Sequence, residues 1–502
     1  MFEWRFRITP GIIPQPFLET AYFAGWGRVP QLTLATVQRH ELILYSESYT
    51  SGTVHVPILH PSVGVFMEAT ESLLGRSEPY FLLRELTRGA FGRLYRRLFD
   101  WKMLGFRQPK ELDEQVQQLA KHFSSLIVQD SFSCDLEQEF VFILNELAPL
   151  IVHENRHFAE QSLAWRTRNG NRLPVLLGIG MNAQHPETPH PETLHEFDAY
   201  AKLLQDSFHL ALPMPTWREL EPLPGQFHWE RLEQKLLAPS RFGMRVVLGP
   251  LLSFSADTLP YWLLQSLTEE DSFETEAIRF VNSIAERYGY LAHSWILANR
   301  FSCPSLPEIP PDRSLALTRV LAQQLRKRGI QTPMMVGITQ PWGEYSLRHL
   351  DSWEQIRVAE ALLSFKDIDA FLLEMDFGFD YRQTFPRDPM SIGNMIDHWS
   401  FLGKKVYVSL SIPSAGTPIT RNQELPSEAP WSLERQRTWT EMLLLTFLGK
   451  RAVRGIFWTC MSDPARPSDF ATEYDYGLLD SHQVLKPAFR HFLAVRKNLL
   501  QD

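Results

Sequence analysis

The chain has 502 residues, 44% apolar and 22% charged, the balance of a globular protein with core enough for more than one domain. Lysine and arginine number 50 against 58 aspartates and glutamates, a net charge of −8, which excludes the basic footprint of a nucleic-acid binder. The 14 tryptophans and 33 phenylalanines exceed what a core requires, and surplus aromatics often line a cleft.

Residues 1–70 read as a β-rich region. "FEWRFRI", "QLTLATV", "ELILYSE", "TVHVPIL" and "GVFMEAT" are short, β-branched or aromatic, and broken by Gly, Pro or Ser. Such a region is either a carbohydrate-binding sandwich or a platform covering the C-terminal domain. The opening "MFEWRFRITPGIIPQPF" sets charges and prolines where a secretory leader needs an apolar run. No apolar stretch of 18 residues occurs either, so no membrane partner and a cytoplasmic location are expected.

Residues 71–171 turn helical. "YFLLRELTRGAFGRLYRRLFDWKMLGF" is apolar at helical spacing and stops at a glycine. "PKELDEQVQQLAKHFSSLIV" and "DLEQEFVFILNELAPLIVHENRHFAEQSLAWRT" keep the same period. The break "TRNGNRLP" at 167–174 marks the boundary to a third region, 172–502.

That region carries eight short apolar runs, at 173–183, 207–217, 244–254, 292–302, 333–345, 368–379, 404–414 and 454–463. Helical patterns such as "SFETEAIRFVNSIAERYG" and "SLALTRVLAQQLRKRG" separate them. Runs without polar alternation suit strands buried on both faces. Eight strand–helix units in this length predict a (β/α)8 TIM barrel. An open doubly wound sheet is the alternative, but no Gly-rich phosphate loop comes after the first strand.

In such a barrel, chemistry sits at the C-terminal strand ends. Those ends hold Asn182 and Gln184; Trp217 and Arg218; Ser253 and Ser255; Asn299 and Arg300; Gln340, Trp342 and Glu344; Glu374 and Asp376; Ser409 and Ser411; Trp458 and Asp463. Singly, each tryptophan fits a core as well as a ligand. Three at one mouth, among amides and carboxylates, point to a sugar cleft. The three cysteines, Cys134, Cys303 and Cys460, form neither a disulfide framework nor a zinc motif. The tandem "HPETPHPETLH" at 185–195 lacks a rigid element and reads as a solvated loop rather than a metal site. No metal or cofactor is expected.

Several stretches resemble family 10 glycoside hydrolases, the xylanase family. "WRELEPLPGQFHWERLEQKLLAPSRFGMRVV" resembles that family's second unit, W-x-x-L-E-P-x-x-G-x-F-x-W followed by a helix and a G-M-x-V strand. "RGIFWTCMSDPARPSDFATEYDYGLLDSHQVLKPAFRHFL" resembles its last unit. "SWILANRF" and "LGKKVYVSLSIPS" resemble its fourth and seventh strands. The whole chain also resembles a planctomycete-type group of family 10-like proteins, through "RSEPYFLLRELTRGAFGRL", "QPWGEY" and "LEMDFGFD".

The resemblance implies a retaining glycosidase with two glutamates. Both positions depart from it. Arg300 comes after Asn299 where the acid/base glutamate is expected, and arginine has no proton to give at useful pH. Ser409 stands where the nucleophile is expected, without an activating base beside it in sequence. The resemblance further matches Trp458 to the tryptophan that walls the sugar site and Trp217 to the second-strand tryptophan, and the strand ends add Asn299, Arg300, Gln340, Trp342, Ser409 and Asp463 as residues around the ligand.

These residues support three expectations. The first is a degenerate enzyme that binds xylan-like or related oligosaccharides. The second is an active hydrolase with relocated carboxylates, Glu374 with Asp376 or Glu344. The third is a non-catalytic scaffold, favoured if Trp217 and Trp458 stack on no ligand. Glu374 is expected either to pair with Arg300, which leaves a charge-paired binding floor, or to reach the ligand position directly as the best remaining acid or nucleophile; the plainer role for these carboxylates is to bond Arg300, Arg387 or sugar hydroxyls.

Overall fold

The computed structural model describes residues 2–25, 29–47, 51–129, 132–181, 194–241, 243–265, 267, 272–301, 306, 309–347, 353–377, 385–415, 419–420, 423–424, 431–463 and 475–501. All eight apolar runs contain strands of one closed parallel barrel: β1 (Leu176–Gly180), β2 (Leu210–Leu212), β3 (Arg245–Leu248), β4 (Ala292–Ile296), β5 (Met334–Thr339), β6 (Ala370–Asp376), β7 (Lys405–Ser411) and β8 (Val453–Trp458). β8 pairs with β1, which closes the ring and excludes the open sheet. Strands alternate their side chains between two faces. One set, Leu210, Val247, Ile296, Met335, Ala370, Leu372 and Phe457, fills the interior of the barrel. The alternate set packs outward beneath the helices. Burial on both faces is why the runs show no polar alternation.

Ahead of the barrel, all five expected N-terminal strands form, in two small sheets. One orders Thr33–Gln38, Glu41–Ser46, Phe2–Arg7 and Tyr80–Phe81; the other orders Tyr22–Ala24, Ser51–His60 and Gly64–Ala69. Trp4 and Phe23 stack at 4.6 Å between them. Three helices come next: α1 (Leu82–Met103), α2 (Lys110–Ile127) and α3 (Cys134–Arg166). α1 ends just before Gly105, whose φ of 90° suits a residue without a Cβ. Ser133 caps α3 by accepting from the Leu136 amide at 3.2 Å.

These helices lean on two helices of the barrel, α4 (Pro389–Ser400) and α5 (Leu433–Gly449). Arg97 of α1 meets Asp397 of α4 at 2.7 Å. Asn155 of α3 donates to Thr446 of α5 at 2.8 Å. The second N-terminal sheet reaches the C-terminal face of the barrel. There the Met67 amide donates to the Pro386 carbonyl at 2.8 Å, and Phe66 sets its edge on Trp439 at 5.6 Å. Among the described residues, no helix is long and apolar enough to cross a membrane.

Candidate functional site

The inner face of β6 carries Glu374 and Asp376 to the C-terminal rim. Two residues apart on a strand, they share a face at roughly 6.6 Å along the chain, while Met375 between them is buried outward. Glu374 lies level with Thr339 of β5 and Ser409 of β7. It accepts from Asn299 Nδ2 at 2.9 Å and from Thr339 Oγ1 at 2.5 Å. Gly337 makes room for it: a Cβ there would come within 2.5 Å of Glu374 Oε1 and 2.6 Å of the Asn299 Cβ. Asn299 Oδ1 is buried and has no hydrogen-bond partner among the described residues.

Asp376 accepts from Ser411 Oγ at 2.7 Å, and Ser411 Oγ lies 2.6 Å from Thr459 Oγ1. A serine hydroxyl has one proton. With Ser411 donating to Asp376, Thr459 donates to Ser411, and the chain runs in one direction. Burial pushes both carboxyls above their usual range. For Glu374 the bonds from Thr339 and Asn299 oppose that rise, the Asp376 charge adds to it, and the Arg300 charge opposes it. For Asp376 the Ser411 bond and the Arg300 charge oppose it. The result is a polar floor of two carboxyls held by neutral donors, able to accept hydrogen bonds and, where a carboxyl is protonated, to donate a proton.

Arg300 does not pair with Glu374. Its φ of 61° turns the chain out of the strand direction, and Nη1 reaches Ser255 Oγ at 2.9 Å and Asp257 Oδ1 at 3.4 Å. The guanidinium is drawn toward the loop after β3, and its charge still acts on Glu374 and Asp376 without pairing with either. Ser409 is buried on β7 beside Glu374 in register. Gln340, also at positive φ (48°), is buried, and its carbonyl accepts from Gln355 Nε2 at 3.1 Å.

Two of the three expected stacking tryptophans face elsewhere. Thr216 and Glu219 form a reciprocal capping box, which starts a short helix at Trp217. The indole is thereby packed on Phe280 at 4.4 Å, donates to Glu221 Oε2 at 2.8 Å, and is 3% exposed. Trp458 is 0% exposed; it sits on the outward face of β8 against Phe492 and donates to the Tyr476 carbonyl at 2.9 Å. The inward positions of β8 are Phe457 and Thr459. Asp463 is likewise committed: it pairs with Lys486 at 2.5 Å and accepts from the Gly477 amide at 2.7 Å, so it braces the chain after β8.

Trp342 is half-buried on the loop after β5, with the Arg387 guanidinium 4.4 Å from its ring centre. Glu344 is buried and paired with Arg387 at 2.8 Å, the plainer of the roles expected for it. Asn182, Gln184 and residues 185–193 of the histidine-rich stretch lie outside the described residues. Thr339, Thr459 and Tyr22 were not among the sequence candidates. The two threonines were within reach, since each lies two residues beyond an inward-facing position on its strand. Tyr22 carried no such signal.

No family model matches the chain, and no curated protein does. Among solved structures, it is similar to native xylanase 10B from Thermotoga maritima, at 14% identity over 68% of this chain and 97% of that one, with a TM-score of 0.47. It is similar to xylanase 10B from Thermotoga petrophila RKU-1 in complex with xylobiose, at 13% identity over 68% and 96%, with a TM-score of 0.48. Xylanase B from Clostridium stercorarium F9 matches at 16% identity over 66% and 98%, with a TM-score of 0.46. At these identities and scores, the likenesses assign neither activity nor ligand to this chain. Its (β/α)8 barrel stands on its own strand pairing.

Proposed function

We propose that the barrel mouth binds an oligosaccharide of the xylan-like class and does not hydrolyse it by the two-glutamate retaining route. The observation carrying this reading is the Asn299–Glu374 pair, with Asn299 Oδ1 buried and unpartnered among the described residues beside a carboxylate held only by neutral donors. A buried acceptor left bare costs free energy until a donor arrives, and a sugar hydroxyl supplies both donor and acceptor. Against hydrolysis stand Arg300 and Ser409, a cation and a buried hydroxyl at the positions where the resemblance calls for glutamates. The test offers xylo-, cello- and manno-oligosaccharides to the purified protein, reading binding by calorimetry and reducing ends by assay. Binding without release of reducing ends is expected.

Two other readings have one observation each. Glu374 and Asp376 on one face of β6, both raised so that a carboxyl there can hold a proton, favour a hydrolase with relocated groups. Turnover that Glu374→Gln abolishes while binding persists would establish it. The packing of Trp217 and Trp458 favours the scaffold reading, which holds if no saccharide binds.

A further inference from the structure

We propose that the N-terminal β region is a working wall of the barrel mouth: Tyr22 holds Arg387 in place, and Arg387 in turn sets the Trp342 ring as the aromatic platform for the saccharide. This rests on the reading that a saccharide binds at the mouth. Tyr22 is buried, and its hydroxyl donates to Glu344 Oε1 at 3.2 Å and accepts from Arg387 Nη2 at 2.8 Å. The same Nη2 lies 2.8 Å from Glu344 Oε1, which closes a triangle of three groups from three parts of the chain. Burial pushes the Tyr22 hydroxyl upward, so it stays protonated and remains a donor. The His55 ring stacks on Tyr22 at 4.7 Å and 3°, which fixes the phenol plane from the other side.

Around the triangle, Tyr22, Ala24 and Met67 of the N-terminal sheet pack against Leu347 and Phe385 of the barrel. The loop after β5 and the segment entering α4 are thus held by one outside surface. Arg387 places its guanidinium over one face of Trp342, a geometry that orients an indole as well as binding a cation. Of the three tryptophans expected at the mouth, Trp342 is the one that is not buried. A flat, half-buried ring on the loop after β5, three residues beyond Thr339, suits the apolar face of a pyranose.

Tyr22→Phe removes the hydroxyl alone and keeps the packing, so Tyr22 acts as a positioning residue that a conservative change can expose. Two readouts are used on the full-length protein. Hydrogen–deuterium exchange needs no ligand: Tyr22→Phe is expected to speed exchange at 340–347 and 385–390 while leaving β1–β4 unchanged. Titration with xylohexaose is expected to show a Kd raised about three- to tenfold. In a Trp342→Phe background, Tyr22→Phe is expected to add nothing, because its effect passes through that ring. Unchanged exchange at both segments overturns the clamp. An equal Kd effect with and without Trp342 overturns the platform. Wild type that binds no xylohexaose, yet shows the exchange change, removes the saccharide reading and the platform while leaving the clamp standing.

Discussion

Two sets of carboxyls in this molecule are raised in the same direction and differ in their surroundings: the pair in α3 is buried, the pair at the mouth half-buried. In α3, Glu137 accepts from Thr9, whose amide donates at 2.7 Å, and Glu154 accepts from Gln108 at 2.5 Å. The other oxygen of each is buried without a partner among the described residues. Burial pushes both up to about 7. At the mouth, Glu374 has a donor on each oxygen, and Asp376 ends a directed hydroxyl chain. A raised carboxyl is therefore no mark of a site by itself. Convergent donors at the end of a barrel strand are the stronger sign. Glu344 makes a third case, in which a guanidinium balances the buried charge.

The largest effect should come from breaking that balance. Arg387→Met leaves Glu344 buried without its cation, and urea unfolding should show a loss of about 3–5 kcal/mol. A loss below about 1 kcal/mol would put Glu344 in the same class as an ordinary surface carboxylate.

The α3 pair sharpens the comparison through pH. Their folded pKa values, about 7, lie above the ordinary 4.5, so the folded state holds each proton more tightly than the unfolded chain does. The stabilisation is full below about pH 4.5 and is lost as pH rises through 7. Glu137→Gln and Glu154→Gln escape that loss. Each should be more stable than wild type by about 1–3 kcal/mol at pH 8 and about equal to it at pH 4. Stability curves that stay parallel across this range would mean that neither group binds its proton differently on folding.

Glu374→Gln should behave in the opposite way. Its stability effect should stay within about 1 kcal/mol, while affinity for xylohexaose should fall about tenfold, since a carboxylate that accepts from Asn299 and Thr339 becomes an amide. Stability gained with affinity kept would move Glu374 into the α3 class. The smallest effect is expected at Trp458→Phe, which should leave that affinity unchanged because the indole faces Phe492 rather than the mouth.

The barrel was legible because its strands are buried on both faces, so "PMMVGIT" and "IDAFLLEM" read as apolar runs without alternation. The carboxyls on β6 were legible because strand parity is local. The tryptophans were misplaced for equally local reasons. "TWRE" is a capping box, which sends Trp217 into a helix, and Trp458 stands on the wrong parity beside inward Phe457. The Glu374–Arg300 pair failed because a positive φ at one residue redirects a whole side chain. No pattern in sequence joins Tyr22 to the barrel.

That last contact spans 322 residues to Glu344 and 365 to Arg387. Contacts of such separation demand the full entropy of loop closure before they return anything, so they form after local strand–helix units have docked. Chains of this size pass through partly ordered intermediates. Such an intermediate is expected to have docked strand–helix units and an unclamped rim. In refolding, far-ultraviolet circular dichroism should recover first, and competence to hold a ligand should arrive in a later, slower phase.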